Sequence, residues 1–156
     1  MAANTQQKEF IMETYKNILV VSRSTKNCAK VLHTGISLAR NHNANLHVLH
    51  VIYDPFYYND WNARFAVIEE ELKQEIAKTR EKLDAIIQAE KAQGMAINEI
   101  VEHGKPIDEI LKTVKNHNVD LILMLAHEEG RLEHFLFGRT NEAIIRRLPA
   151  TLMLVK

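Results

Sequence analysis

Apolar residues along this chain come in short unbroken runs, separated by stretches in which they recur every three or four positions. Ile18, Leu19, Val20 and Val21 form the first run. With no polar side chain to turn toward water, such a run predicts a strand covered on both faces, as at the centre of a parallel sheet. Asn27, a residue type that caps helices, then precedes Val31, Leu32, Gly35, Leu38 and Ala39 at helical spacing. Residues 45–53 predict a second strand with His47 and His50 among its apolar positions, and 62–93 a long helix. That helix carries Phe65, Ile68, Leu72, Ile76, Leu83, Ile86 and Ile87 on one stripe and charge elsewhere. Gly94 ends it, and 95–102 predict a third strand through Ile97, Ile100 and Val101. Gly104-Lys105-Pro106 turns into a helix with Pro106 first and Ile107, Ile110, Leu111 and Val114 facing inward. A fourth strand at 121–126, a helix after Gly138, a break at Pro149 and a last strand at 151–155 complete the series.

The order βαβαβαβαβ, with right-handed crossovers and helices on both faces, predicts an α/β fold built on a doubly wound parallel sheet. Residues 1–14 are polar and aperiodic and read as a leader, leaving 15–156 as a single domain. Around Pro55, residues 53–61 hold three of the four tyrosines and the one tryptophan. This segment reads as an irregular aromatic lid on the domain's own core, with a partner surface as the alternative.

Composition narrows the field. With 156 residues, 46% of them apolar, the chain has the size of one domain with a substantial core. Twenty basic side chains balance twenty acidic ones, so no global field favours nucleic acid or an anionic membrane. A single cysteine, Cys28, excludes an internal disulfide, and no segment reads as a secretory signal or a bilayer span. A cytoplasmic setting without membrane or nucleic-acid partners is therefore expected.

Candidate chemistry concentrates in residues 120–156, where a loop follows the fourth strand and delivers the next helix. In open α/β sheets, ligands sit outside the carboxyl ends of the strands, against the free N–H groups of a helix start. Metal chemistry finds little support in the spacing. His47 and His50 stand three apart on a strand, hence on opposite faces, and His127 and His134 share a loop with Glu128, Glu129 and Glu133 but lack a fixed ligand pair. Cys28 sits at a helix start and suits a small buried residue. No Gly-x-Ser-x-Gly, paired-carboxylate or lysine-based signature appears, so no catalytic residue and no enzyme activity are expected, with a weak nucleotide hydrolase as the alternative.

The segments YKNILVV, LHVLHVIYD, GKPIDEIL, DLILMLAH and FGRTNEAIIRRLPATLMLV, taken in order and spacing, resemble the universal stress protein family from Tyr15 to Lys156. The resemblance implies a five-stranded parallel sheet in the order 3-2-1-4-5, a Rossmann-like three-layer sandwich similar to the adenine nucleotide α hydrolases. It also implies homodimers paired through strand five, here Leu152, Met153, Leu154 and Val155. Members that bind ATP carry Gly-x2-Gly-x9-Gly followed by Ser or Thr, with an acidic residue after strand one. On this chain those positions fall at Leu125, Glu128 and Gly138, followed by Arg139, and the acidic position falls at Arg23. Two glycines are replaced and one charge is reversed. The chain thus resembles the branch with a degenerate ATP motif: no cofactor is expected, and action through protein partners is the leading reading. The alternative is an anion or altered-nucleotide sensor built from Arg23, Arg131, Gly138, Arg139 and Thr140 at the switch between strands one and four.

Overall fold

A computed structural model of the chain describes residues 14–22, 27–52, 66–126, 140–147 and 149–156. The described elements alternate as expected: β1 (Asn17–Ser22), α1 (Cys28–His42), β2 (Asn45–Ile52), α2 (Ala66–Ala92), β3 (Ile97–His103), α3 (Pro106–Asn116), β4 (Leu121–Leu125), α4 (Thr140–Arg147) and β5 (Thr151–Val155). Every strand pairing is parallel, and the sheet order is β3-β2-β1-β4-β5. Most of the leader, all of the aromatic segment 53–61 and the side chains of Phe65, Ile68, Leu72 and Ile76 lie outside the described residues.

Side-chain alternation divides the interior into two layers. Ile18, Val20, Leu46, Val48, Leu121 and Leu123 pack with Val31, Leu32 and Ile36 of α1 and with Leu83 and Ile87 of α2. On the other face Leu19, Val21, Leu49, Val51, Ile122 and Met124 pack with Ile110 and Val114 of α3 and Ile144 of α4. The runs at β1 and β4 are continuous because both faces of these inner strands are roofed by helices.

At Gly35 the helix α1 comes close to β1. A methyl group placed there would lie 2.2 Å from Val20 Cγ2, so α1 rides directly on β1. At the amino edge of the sheet, polar side chains tie the strands together. The Asp120 carboxylate accepts from the backbone N–H groups of Lys16 at 2.7 Å and Asn17 at 3.1 Å. The Asn17 side chain donates to the Asn118 carbonyl at 3.2 Å and accepts from Asn45 at 3.0 Å. These contacts pin the starts of β1, β2 and β4 and leave the opposite, carboxyl edge to the loops.

Local differences from the expected elements have physical causes. Asn27 occupies the N-cap position of α1, yet its side chain makes no capping hydrogen bond. Its ψ of 5° departs from the extended cap geometry that aims the side-chain oxygen at the first N–H groups. Its backbone carbonyl serves instead, accepting from Lys30 N–H at 3.1 Å. β3 begins at Ile97 and not at 95, because the Met95 N–H is taken by the Glu90 carbonyl in closing α2. β4 stops at Leu125, one residue early, with the Ala126 N–H passing to the Val155 carbonyl. Pro106 stands at the start of α3 as expected, where its missing N–H has no intrahelical partner to lose.

Gly35→Ala is expected to destabilise the fold by about 1–2 kcal/mol, since overpacking against a rigid β-branched side chain outweighs the gain of about 1 kcal/mol in helix propensity. Urea denaturation checks this. In a Val20→Ala background the same substitution should cost little, and an equal cost in both backgrounds would show that the Val20 contact is not responsible.

Candidate functional site

Strands β2 and β4 flank β1 on opposite sides, so the β1/β4 boundary is where the winding reverses and where the carboxyl edge opens. Ser22 ends β1 and is buried, as is Cys28 at the start of α1, in keeping with the small buried role expected of it. Across the boundary, Leu125 ends β4 with its side chain packed in the same core layer as Cys28, Val31 and Val155. Leu125, expected at the first glycine position, has its side chain used in packing. Its carbonyl is engaged as well: Asn141 Nδ2 donates to Leu125 O at 2.8 Å and to Ala126 O at 3.5 Å.

Of the five residues expected to form an anion site, the structure places Thr140, the first residue of α4, buried beside this edge. Arg23, Arg131, Gly138 and Arg139 lie outside the described residues, as do Glu128, His127 and His134. Glu142 stands in the first turn of α4 and pairs with Arg146 at 2.7 Å. A carboxylate there meets the positive end of the helix dipole and counters part of its pull on an anion.

Strand β5 is an edge of the sheet, as expected, but its four apolar residues do not share one role. Val155 is buried in the α1-side layer, and Met153 packs partly against that layer. Leu152 packs partly against the α3-side layer, while Leu154 is 40% exposed. Side chains alternate across a strand, so Val155 cannot contribute a contact surface alongside Leu154.

His47 and His50 point to opposite faces, as their spacing requires. His47 stacks on His117 with ring centroids 4.7 Å apart and meets the Asn98 side-chain nitrogen through Nδ1 at 3.1 Å. Burial, assisted by repulsion from His117, lowers its pKa below the ordinary value of 6.5. His50 faces α2 and is 1% exposed. It is there brought beside Asp84 and Glu99, a grouping that inspection of short-range spacing misses because it joins three elements. The available signal was parity: Glu99 falls on the same strand face as buried Ile97. A separate cavity of about 490 Å³ lies at the far, amino edge, between Arg40, Asn43, Asn45, Gln93 and Met95. The Arg40 guanidinium there is already paired with Glu90.

A five-stranded parallel sheet of this order, with helices on both faces, is the Rossmann-like α/β architecture. The chain belongs to the universal stress protein family, whose model matches residues 14–156. It is 27% identical over 150 residues to universal stress protein E of Salmonella typhi, covering 93% of this chain but 46% of that protein. In solved structures it is similar to the universal stress protein UspA from Lactobacillus plantarum, with a TM-score of 0.66, 21% identity and coverage of 92% and 99% of the two chains. A universal stress protein solved in complex with cAMP matches with a TM-score of 0.59 at 15% identity, over 92% and 98% of the chains. Among the described residues no helix is long and apolar enough to cross a membrane.

The lowered pKa of His47 makes stability depend on pH with a definite sign. The unfolded chain takes up the proton first, so stability is intact above about pH 6.5, is lost as pH falls below it, and levels off below the folded-state pKa. His47→Gln is expected to make the loss of melting temperature between about pH 7.5 and pH 5 shallower. An unchanged slope would remove His47 as its source.

Proposed function

We propose that this chain is a non-catalytic universal stress protein that works as a homodimer through protein partners, without ordinary ATP binding. Family membership supports a stress-response function. The observation that carries the reading on ATP is the closure of β4 by the chain's own groups: Asn141 holds the Leu125 and Ala126 carbonyls, and the Ala126 N–H is bonded to Val155. A phosphate cradle needs exposed backbone N–H groups at a close approach, and this segment offers Leu125 and Glu128 where glycines would permit one. The dimer reading is supported by the position of β5 at the sheet edge and by the exposure of Leu154, because an apolar edge strand pairs readily with another. A second reading, an anion or altered-nucleotide sensor, draws support from buried Thr140 at the start of α4 and from the cAMP complex of the structural relative.

Calorimetric titration of the purified chain with ATP is expected to show no saturable heat, and micromolar binding would overturn the leading reading. If cAMP binds while ATP does not, the sensor reading requires that Arg139→Ala abolish the cAMP signal.

Leu154→Lys places an unpaired charge on the exposed face of the edge strand, and the variant is expected to sediment as a monomer while the parent sediments as a dimer. A dimer that survives the substitution would move the interface elsewhere, and a monomeric parent would end the homodimer reading.

A further inference from the structure

On the α2-covered face of the sheet, β2 contributes His50, β3 contributes Glu99 and α2 contributes Asp84. One ligand atom from each lies within 4.8 Å of the other two. His50 forms the floor of this group at 1% exposure, and among the described residues neither of its ring nitrogens has a hydrogen-bond partner. Buried polar groups in native proteins are nearly always satisfied, so an imidazole orphaned at both nitrogens, with two carboxylates at its edge, calls for a further group between them. The side chains of Asp84 and Glu99 are 43% and 24% exposed, so the group opens to solvent on the carboxylate side.

We propose that His50, Asp84 and Glu99 form a binding site for a zinc-class divalent cation, sharing no residue with the anion set at the β1/β4 boundary. One imidazole with two carboxylates is a donor set suited to a first-row transition ion, and the nitrogen ligand selects against magnesium and calcium. Three protein ligands leave a fourth, outward position for water. With bond lengths near 2 Å, tetrahedral ligands lie about 3.3 Å apart. The gap from 4.8 Å is closed by rotation of the two part-exposed carboxylate side chains, while His50 stays fixed by the sheet.

Two cations stand beside the group. Lys91 Nζ lies 2.5 Å from one Glu99 oxygen, and Arg80 Nε lies 4.0 Å from one Asp84 oxygen. Each carboxylate has a second oxygen to offer, and both cationic side chains are about one-third exposed, so they can swing toward solvent as the ion enters.

The test uses the full chain stripped of metal by dialysis against chelator. Titration with zinc chloride alone is expected to give one saturable site and to raise the melting temperature, and cobalt(II) in its place should give visible absorption of a four- or five-coordinate ion. Glu99→Gln and Asp84→Asn should each weaken zinc binding at least tenfold, and His50→Gln should abolish it. The carboxylate variants sit at part-exposed positions, so they keep the test decisive if His50→Gln does not fold. Lys91→Met, which removes the competing cation, should tighten binding, an effect that a purely structural role of the cluster would not produce. Absence of saturable binding, or binding unchanged in both carboxylate variants and in Lys91→Met, would overturn the proposal.

Discussion

Two adjacent strands whose central residues are apolar on both faces constrain everything else in this fold. β1 and β4 bury all of their core positions, and neither could be stable with one face in water. Each face must be roofed, and parallel pairing supplies the roof, because every crossover between parallel strands deposits a helix on one side or the other. Gly35 shows how close that roof sits over Val20. The burial that stabilises the sheet also decides where polar chemistry can stand: at the strand ends, or on the outer strands where the roof thins.

The amino edge is closed by Asp120 and Asn17, whose side chains satisfy backbone groups near the strand starts, and by Asn45, which donates to the Asn17 side chain. The carboxyl edge is treated differently. At β4 Asn141 reaches back from α4 and donates to the Leu125 carbonyl. That hydrogen bond ties the first turn of α4 to the end of β4.

The strands and helices were legible in the sequence because burial on two faces and burial on one stripe leave different periods, and this chain follows both closely. Sheet order came through resemblance, since no local pattern encodes which strands are neighbours. The start of β3 shifted by two residues where a backbone hydrogen bond went to a turn and not to a ladder, as at Met95. The four apolar residues of β5 looked equivalent in sequence, yet alternation assigns Val155 to the core and Leu154 to the surface. Of the anion set, Thr140 alone can be placed. The grouping of His50 with Asp84 and Glu99 was not legible, because parallel register and helix docking, not spacing, create it.

The two edges of the sheet also differ in a way that bears on association. β3 places Asn98, Glu99, Glu102 and His103 along its seven residues, so a second strand approaching that edge would meet charge and would have to desolvate it. Lys91 and Lys112 further cover this edge by pairing with Glu99 and Glu102. β5 presents Thr151, Leu152, Met153 and Leu154, with no ionisable side chain before Lys156. Among the described residues, charge thus lies along one edge of the sheet and apolar side chains along the other. That contrast follows from the placement of charge along β3 as much as from the apolar character of β5.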